Sequence, residues 1–419
     1  MLTPKIITTL RHYDRGLAMA DGLAGITVAM VAIPLSLAIA IASGADPVNG
    51  LVTAVIGGFL ISLLGGSRVQ IGGPTGAFIV VVAGVVAVHG YDGLVIATFM
   101  AGVLLVLAGL FRAGSLVRLV PEAVVNGFTI GIGIIIAASQ IKDLLGLQPL
   151  DDHAEFLKKI PALWQARATF DWAAATVGLV TMVLIVVLRR AFPRFPGLIV
   201  AVAAGSALAA LLPGVETLGS RFGVLPDRLP WPSVPEISFE RMVELLPSAL
   251  IIAFLAGIES LLSAMVADRM IGGSHRPNAE VMAQGIANIG SSLFGGMPAT
   301  GAIARTATNV NAGGKTPMAG IIHALIVLAV MMLAAPLAGY LAMPALAGLL
   351  VLTAWNMTEP HKWRGYMKDR VPDRVLLLLT LVLTVAVDLT VAIGVGVVLG
   401  LALRLSRRGV EPDWTPPDR

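Results

Sequence analysis

The sequence predicts an all-α polytopic membrane protein of fourteen transmembrane segments. They form a 7+7 inverted repeat with two half-helices, each preceded by a short extended stretch. Three observations carry this reading. The 419 residues are 57% hydrophobic and only 13% charged, with a mean hydropathy of +0.88, where a soluble domain carries about 25% charged residues. Apolar runs of about 20 residues, the length that crosses a bilayer as a helix, recur along the whole chain. Finally, LLGGSRVQIGGPTGAF, starting at Leu63, aligns without a gap to LFGGMPATGAIARTAT, starting at Leu293, an offset of 230 residues.

The predicted segments are 17–42, 47–64, 74–88, 91–111, 115–140, 172–188 and 196–212 in the first half. In the second they are 246–266, 280–294, 303–312, 317–336, 338–356, 373–387 and 389–406. Seven precede Pro213 and seven follow it, so an odd count per repeat forces the halves into opposite orientations. Residues 1–16 form an N-terminal segment, 213–245 a connecting loop and 407–419 a tail. Charge supports the count. With residue 1 in the cytoplasm, Arg68, Arg112, Arg118, Arg189, Arg190, Arg194, Arg269, Arg276, Lys315, Lys362, Arg364, Lys368, Arg370 and Arg374 all fall in cytoplasmic connections. The short opposite connections carry no Lys or Arg, which is the positive-inside pattern. The connections 141–171 and 213–245 are long, mixed in charge and read as loops.

Composition also excludes classes of function. The absence of Cys rules out disulfides, zinc–thiolate sites and thiol nucleophiles. The net charge of +4 is spread over the connections and implies no nucleic acid. No polar stretch is long enough for a soluble domain, no cleavable signal peptide is evident, and no metal cluster or nucleophile–base pair appears. Neither an enzyme nor a cofactor is expected.

Of the 29 Lys and Arg residues, only Arg305 falls outside connections, segment edges and tails. It lies in GMPATGAIARTATN, between two apolar stretches. Glu259 interrupts the run LIIAFLAGIESLLSAMV. A charge at membrane depth costs at least ~2.5 kcal/mol and faces a partner, a cavity or a transported ion. Gly72-Gly73-Pro74 breaks the first repeat, and Pro74 suits a first helical turn. The offset matches Pro74 to Ala304 and Thr75 to Arg305. Two half-helices then start near mid-membrane with their positive ends facing each other, each an anion site; the other reading is a pair of structural kinks. Arg305 is either a guanidinium for an oxyanion substrate or half of a structural ion pair. Thr300, Thr306 and Thr308 offer hydroxyls, Thr308 more plausibly to its own helix. Glu259 shares a face with Ser263 one turn on. Burial and a nearby guanidinium act on its protonation in opposite senses, which is what proton coupling needs. A permanent pairing with Arg305 carries similar weight. Phe78 either walls the site or packs. His323 reads as a packed, hydrogen-bonded core histidine, and Asp21, Glu122, Asp268 and Asp388 as segment-end residues.

ADGLAGITVAMVAIPLSLAIA (20–40), QIGGPTGAF (70–78), ESLLSAMVADRMIG (259–272), the run from His275 to Asn309 and GGKTPMAGIIHA (313–324) resemble the SulP, or solute carrier 26, anion transporters. The resemblance spans the chain in order. It implies a core domain from segments 1–4 and 8–11 and a gate domain from segments 5–7 and 12–14. It also implies a site lined by Leu35, Ile39, Thr75, Gly76, Ala77, Phe78, Glu259, Ser263, Ala302, Ile303, Ala304, Arg305 and Thr306. Two departures stand out. Leu35 and Ile39 replace the family's usual Gln and aromatic residue, giving a less polar wall. The family normally continues into a C-terminal STAS domain, whereas this sequence stops at EPDWTPPDR, so the expectation is a membrane domain without it, either as an engineered truncation or as a natural short form.

The expected function is secondary active anion transport by an elevator-like mechanism; the ATGAIARTATN block resembles bacterial members that move C4-dicarboxylates, which implies a substrate such as fumarate or succinate, with Glu259 coupling it to protons. Alternatives are bicarbonate, sulfate or chloride transport, a nucleobase–proton symporter, or an anion channel on the same scaffold. The expected partners are the anion, protons and membrane lipid, with a homodimer implied by the resemblance. The expected location is the bacterial inner membrane, with both termini cytoplasmic.

Overall fold

The computed structural model describes residues 2–114, 121–150, 156–192, 196–387 and 389–406. The predicted tail 407–419, with Arg407 and Arg408, lies outside them, as do Arg118, Arg194 and Asp388. The chain is helical throughout: α1 (Arg15–Ala42), α2 (Pro47–Leu64), α3 (Ile79–Leu110), α4 (Glu122–Leu145), α5 (Phe156–Gln165), α6 (Trp172–Ala191) and α7 (Gly197–Ala209). The second half holds α8 (Phe239–Ile271), α9 (Pro277–Leu293), α10 (Ile303–Asn311), α11 (Met318–Ala338), α12 (Met343–Met357), α13 (Val371–Ala386) and α14 (Leu389–Ser406). Among the described residues, seven helices are long and apolar enough to cross a bilayer. Gly90, at φ 71°, breaks α3 into two arms, where the sequence predicted separate segments.

Local chemistry sets the ends. Asp14 caps α1 by accepting from the Leu17 N–H at 2.8 Å, and Ser238 caps α8 through the Arg241 N–H. Left-handed Gly146 and Gly272 close α4 and α8, the helix-stop geometry glycine permits. Several predicted boundaries shift. α8 begins at Phe239, seven residues before the expected 246, because Ser238 caps it well outside the apolar run. α4 extends to Leu145 and α12 starts only at Met343. The connection 141–171, read as a loop, holds helix α5; its apolar positions follow a helical period inside a charged stretch.

The helices pack in two groups. α1, α2, α3, α8, α9, α10 and α11 form one; α4, α6, α7, α12, α13 and α14 form the other. Small residues bring backbones close in both. A Cβ at Gly102 would sit 2.7 Å from the Gly285 carbonyl oxygen, and one at Gly285 would sit 2.6 Å from that of Gly102. This locks α3 to α9 in the manner of membrane helix pairs. Gly348 meets the Gly178 carbonyl in the same way, joining α12 to α6.

The two breaks meet at the centre of the first group. Gly72–Gly73 (β1) pairs antiparallel with Thr300–Gly301 (β2), in register Gly72 to Gly301 and Gly73 to Thr300. The Ala302 N–H donates to the Ile71 carbonyl at 2.8 Å. The repeat offset exchanges Gly72 with Ala302 and Ile71 with Gly301, so these two contacts are symmetry mates. The sequence predicted extended stretches here but not their pairing.

Candidate functional site

The second half-helix, α10, starts at Ile303 after the extended Ala302. Helix geometry leaves the N–H groups of Ile303, Ala304 and Arg305 without intrahelical acceptors. The first half-helix starts later than predicted. Thr75 is still extended (φ −124°, ψ 156°), a 3₁₀ turn follows over Gly76–Phe78, and α3 begins at Ile79. Pro74 is therefore in the extended approach rather than the first turn. Thr75 is drawn outward by its side chain, whose hydroxyl donates to Glu259 Oε2 at 2.9 Å.

α8 supplies two consecutive contacts along one face. Glu259 meets Thr75 on the first half-helix approach, and one turn later Ser263 Oγ lies 3.1 Å from Thr306 Oγ1 on α10. Thr306 Oγ1 also accepts from the Ile71 N–H at 3.1 Å. One helix thus touches both breaks. Thr308 bonds the Ala304 carbonyl of its own helix, as expected, and Thr300 donates to the Ala256 carbonyl of α8.

Arg305 is 1% exposed. Its Nη2 donates to Ser36 Oγ at 3.2 Å, while Nε and Nη1 have no hydrogen-bond partner. Among the described residues no carboxylate lies within ion-pair distance of it. The predicted permanent pairing with Glu259 is absent, because Thr75 occupies that carboxylate and the guanidinium turns toward α1. Gly73 makes room for it. A Cβ there would meet Nη1 at 2.6 Å, and the φ of 148° disfavours any side chain. An unpaired buried cation costs several kcal/mol, so an anion supplied from elsewhere has a strong electrostatic reason to settle here.

The remaining predicted residues divide by exposure. Ala304 and Ile303 are exposed, Ile303 by 42%; Leu35, Thr75 and Gly76 are partly so. Ala302, Ala77, Phe78 and Ile39 are enclosed, the last three in the main apolar cluster, so Phe78 packs. Gly76 faces Met357 Sδ and Ile136 Cδ1, placing α12 and α4 of the other helix group opposite the half-helix. His323 is fully buried, as expected, but neither ring nitrogen has a hydrogen-bond partner, so the expected hydrogen bonding is not made. Asp21, also fully buried, accepts from the Lys315 and Thr316 N–H groups at 2.8 and 3.1 Å and fixes the approach to α11.

Sequence reasoning missed Ser36, Met357, Ile136 and above all Glu280. Glu280 is fully buried on α9. Its Oε2 accepts from the Gly66 and Ser67 N–H groups at 2.8 and 3.2 Å; its Oε1 accepts from Ser260 Oγ at 3.0 Å and Gln284 Nε2 at 2.8 Å. Ser260 also receives Gln70 Nε2 at 2.8 Å. The network ties the residue next to Glu259 to the strand leading into the first break.

Comparison with known proteins agrees with this architecture. Residues 19–378 match the profile described as the sulfate permease family. The chain is 43% identical over 362 residues to the putative sulfate transporter YvdB of Bacillus subtilis, covering 86% of this chain and 68% of that protein. It is 33% identical over 345 residues to the bicarbonate transporter BicA of Picosynechococcus, covering 78% of this chain and 60% of that protein. The solved transmembrane domain of a cyanobacterial BicA superposes with a TM-score of 0.83 at 29% identity, over 94% of this chain and all of that one. SLC26A9, at 16% identity, shares the fold with a TM-score of 0.86, over 97% of this chain and 68% of that one. Fold, paired breaks and sequence together make the chain a member of the sulfate permease family, SulP/SLC26.

Proposed function

We propose that the protein is a secondary active transporter that couples a small dicarboxylate, such as fumarate or succinate, to protons. The observation that carries an anion site is Arg305, buried with two unpartnered nitrogens beside a half-helix start. Two helix N-termini and a guanidinium converge on one region, which suits a dianion. The wall offered by the partly exposed Leu35 is apolar, which suits a carbon chain between two carboxylates better than a strongly hydrated oxyanion; Ile39, enclosed behind it, does not reach the site. Glu259, held by one neutral hydroxyl, is the group free to exchange a proton as the cavity fills and empties. The α1–α3 and α8–α11 group acts as the moving core and the other helices as the gate, with both termini in the cytoplasm of a bacterial inner membrane.

A second reading has its own support. The relatives' names specify sulfate and bicarbonate, and the same positive site would take either. Uptake by purified protein in proteoliposomes, with labelled succinate, fumarate, sulfate and bicarbonate under imposed pH or sodium gradients, separates the two. Succinate or fumarate accumulation driven by an inward proton gradient supports the proposal. Sulfate or bicarbonate uptake without either dicarboxylate overturns it. Orientation is checked with Gly365→Cys, which is exposed and has open space at its Cβ. Labelling of that cysteine by an impermeant reagent from outside intact cells would refute cytoplasmic termini.

A further inference from the structure

Helix α5 stands apart from the candidate transport site, in the connection between α4 and α6. Its ten residues, FLKKIPALWQ, place Phe156, Leu157, Ile160, Leu163 and Trp164 on one face and Lys158 and Lys159 away from it. Leu163 turns into the protein, at 8% exposed, and Phe156 is half-buried. Leu157, Ile160 and Trp164 are exposed by 58, 42 and 69%. A contiguous apolar face left open in this way needs an occupant.

Its position says which. The excursion between α4 and α6 is pinned shut at its base. The Asp171 N–H donates to the Leu145 carbonyl at 3.0 Å, and the Gln148 N–H to Thr169 Oγ1 at 2.8 Å. Leu145 ends one apolar helix and Trp172 begins the next, so α5 is held at the rim where both leave the hydrocarbon. Aromatic residues cluster at that rim, with Phe170 53% and Trp172 61% exposed. The Arg167 guanidinium stacks 4.9 Å from the Trp164 ring centroid and donates to the Trp164 carbonyl at 3.0 Å. An exposed Trp beside Lys and Arg, over an apolar face, is the chemistry of the lipid headgroup layer.

We propose that α5 lies in the plane of the membrane as an interfacial anchor, its Leu157–Ile160–Trp164 face set among phospholipid acyl chains and its cations at headgroup phosphates. The partner is the lipid itself, and the assignment holds whichever anion is carried. The anchor fixes the depth of the α4–α6 pair.

The Cys-free chain permits a direct test. Single cysteines at 157, 160, 164, 158 and 165 are spin-labelled, and each variant is shown to be monodisperse. Each is then reconstituted into vesicles of phosphatidylcholine and phosphatidylglycerol. Collision with oxygen, which concentrates in hydrocarbon, is compared with collision with a water-soluble nickel chelate. The expected result is an oxygen-to-nickel accessibility ratio several-fold higher at 157, 160 and 164 than at 158 and 165. Equal nickel accessibility at all five would put the helix in water and overturn the proposal. Labels at 157, 160 and 164 that are immobilised and shielded from both reagents would overturn it too, showing a second copy or another protein segment on that face.

Discussion

Glu259 and Glu280 are two acidic residues in the interior of one helix group, and they are held in opposite ways. Glu280 is fully buried, and four donors saturate its oxygens. Glu259 is partly exposed and receives one hydroxyl, from Thr75. They are joined by one residue, because Ser260, which bonds Glu280, is the next residue after Glu259. A carboxylate whose lone pairs are all taken has no reason to change state, and leaving its donors unmet is costly. One held by a single neutral donor is able to change partner, proton or both. Depth alone therefore does not separate two buried acids; the number of committed partners does.

The largest effect that sharpens this contrast is expected at Glu280. Glu280→Ala leaves the Gly66 and Ser67 N–H groups buried without an acceptor and opens a cavity. The expected cost is at least ~3 kcal/mol, seen as a drop in thermal stability by size-exclusion chromatography of heated samples. Wild-type thermostability in this variant would remove the distinction between the two acids. Next comes Arg305. Arg305→Ala is expected to give a monodisperse protein with anion uptake reduced more than ~10-fold, a loss of about 1.4 kcal/mol or more in binding. Misfolding of Arg305→Ala together with fully wild-type Arg305→Lys would instead make the guanidinium structural.

Glu259→Gln should fold normally and keep exchanging substrate across the membrane, yet fail to concentrate it when a pH gradient is imposed. Accumulation with wild-type pH dependence would show that the proton travels elsewhere, or on the substrate. The smallest change is expected from Thr75→Val, which removes a single neutral hydrogen bond worth about 0.5–1.5 kcal/mol. A several-fold rise in the substrate concentration for half-maximal uptake, with stability unchanged, is the expected outcome. No change in that concentration would mean that Thr75 does not orient Glu259.

The membrane class and the two breaks were readable because they are written in composition, spacing and the 230-residue offset. A helix lies at each of the fourteen predicted segments, two of them as the arms of α3. The candidate site residues could be named from the sequence, but the contacts among them could not. Arg305 and Glu259 were marked by their improbability at membrane depth, and nothing in the sequence said they would not pair. Glu280 was hidden by its setting. It follows Pro277 at the start of α9, where an acid is unremarkable, and its partners Gly66 and Ser67 lie more than two hundred residues upstream. Ser36 was hidden by proximity. It follows Leu35 in α1, and a turn of about 100° sends the neighbouring side chains to different places. Helix α5 escaped because two lysines and a proline interrupt its apolar period.

The ladder between Gly72–Gly73 and Thr300–Gly301 has a consequence for how any ion gets in and out. It rivets the two helix ends to each other, so the gap between them is a fixed gauge. Neither end is able to retreat without breaking backbone hydrogen bonds far from water. A solute lodged between the two ends therefore meets one spacing, set by the backbone ladder itself.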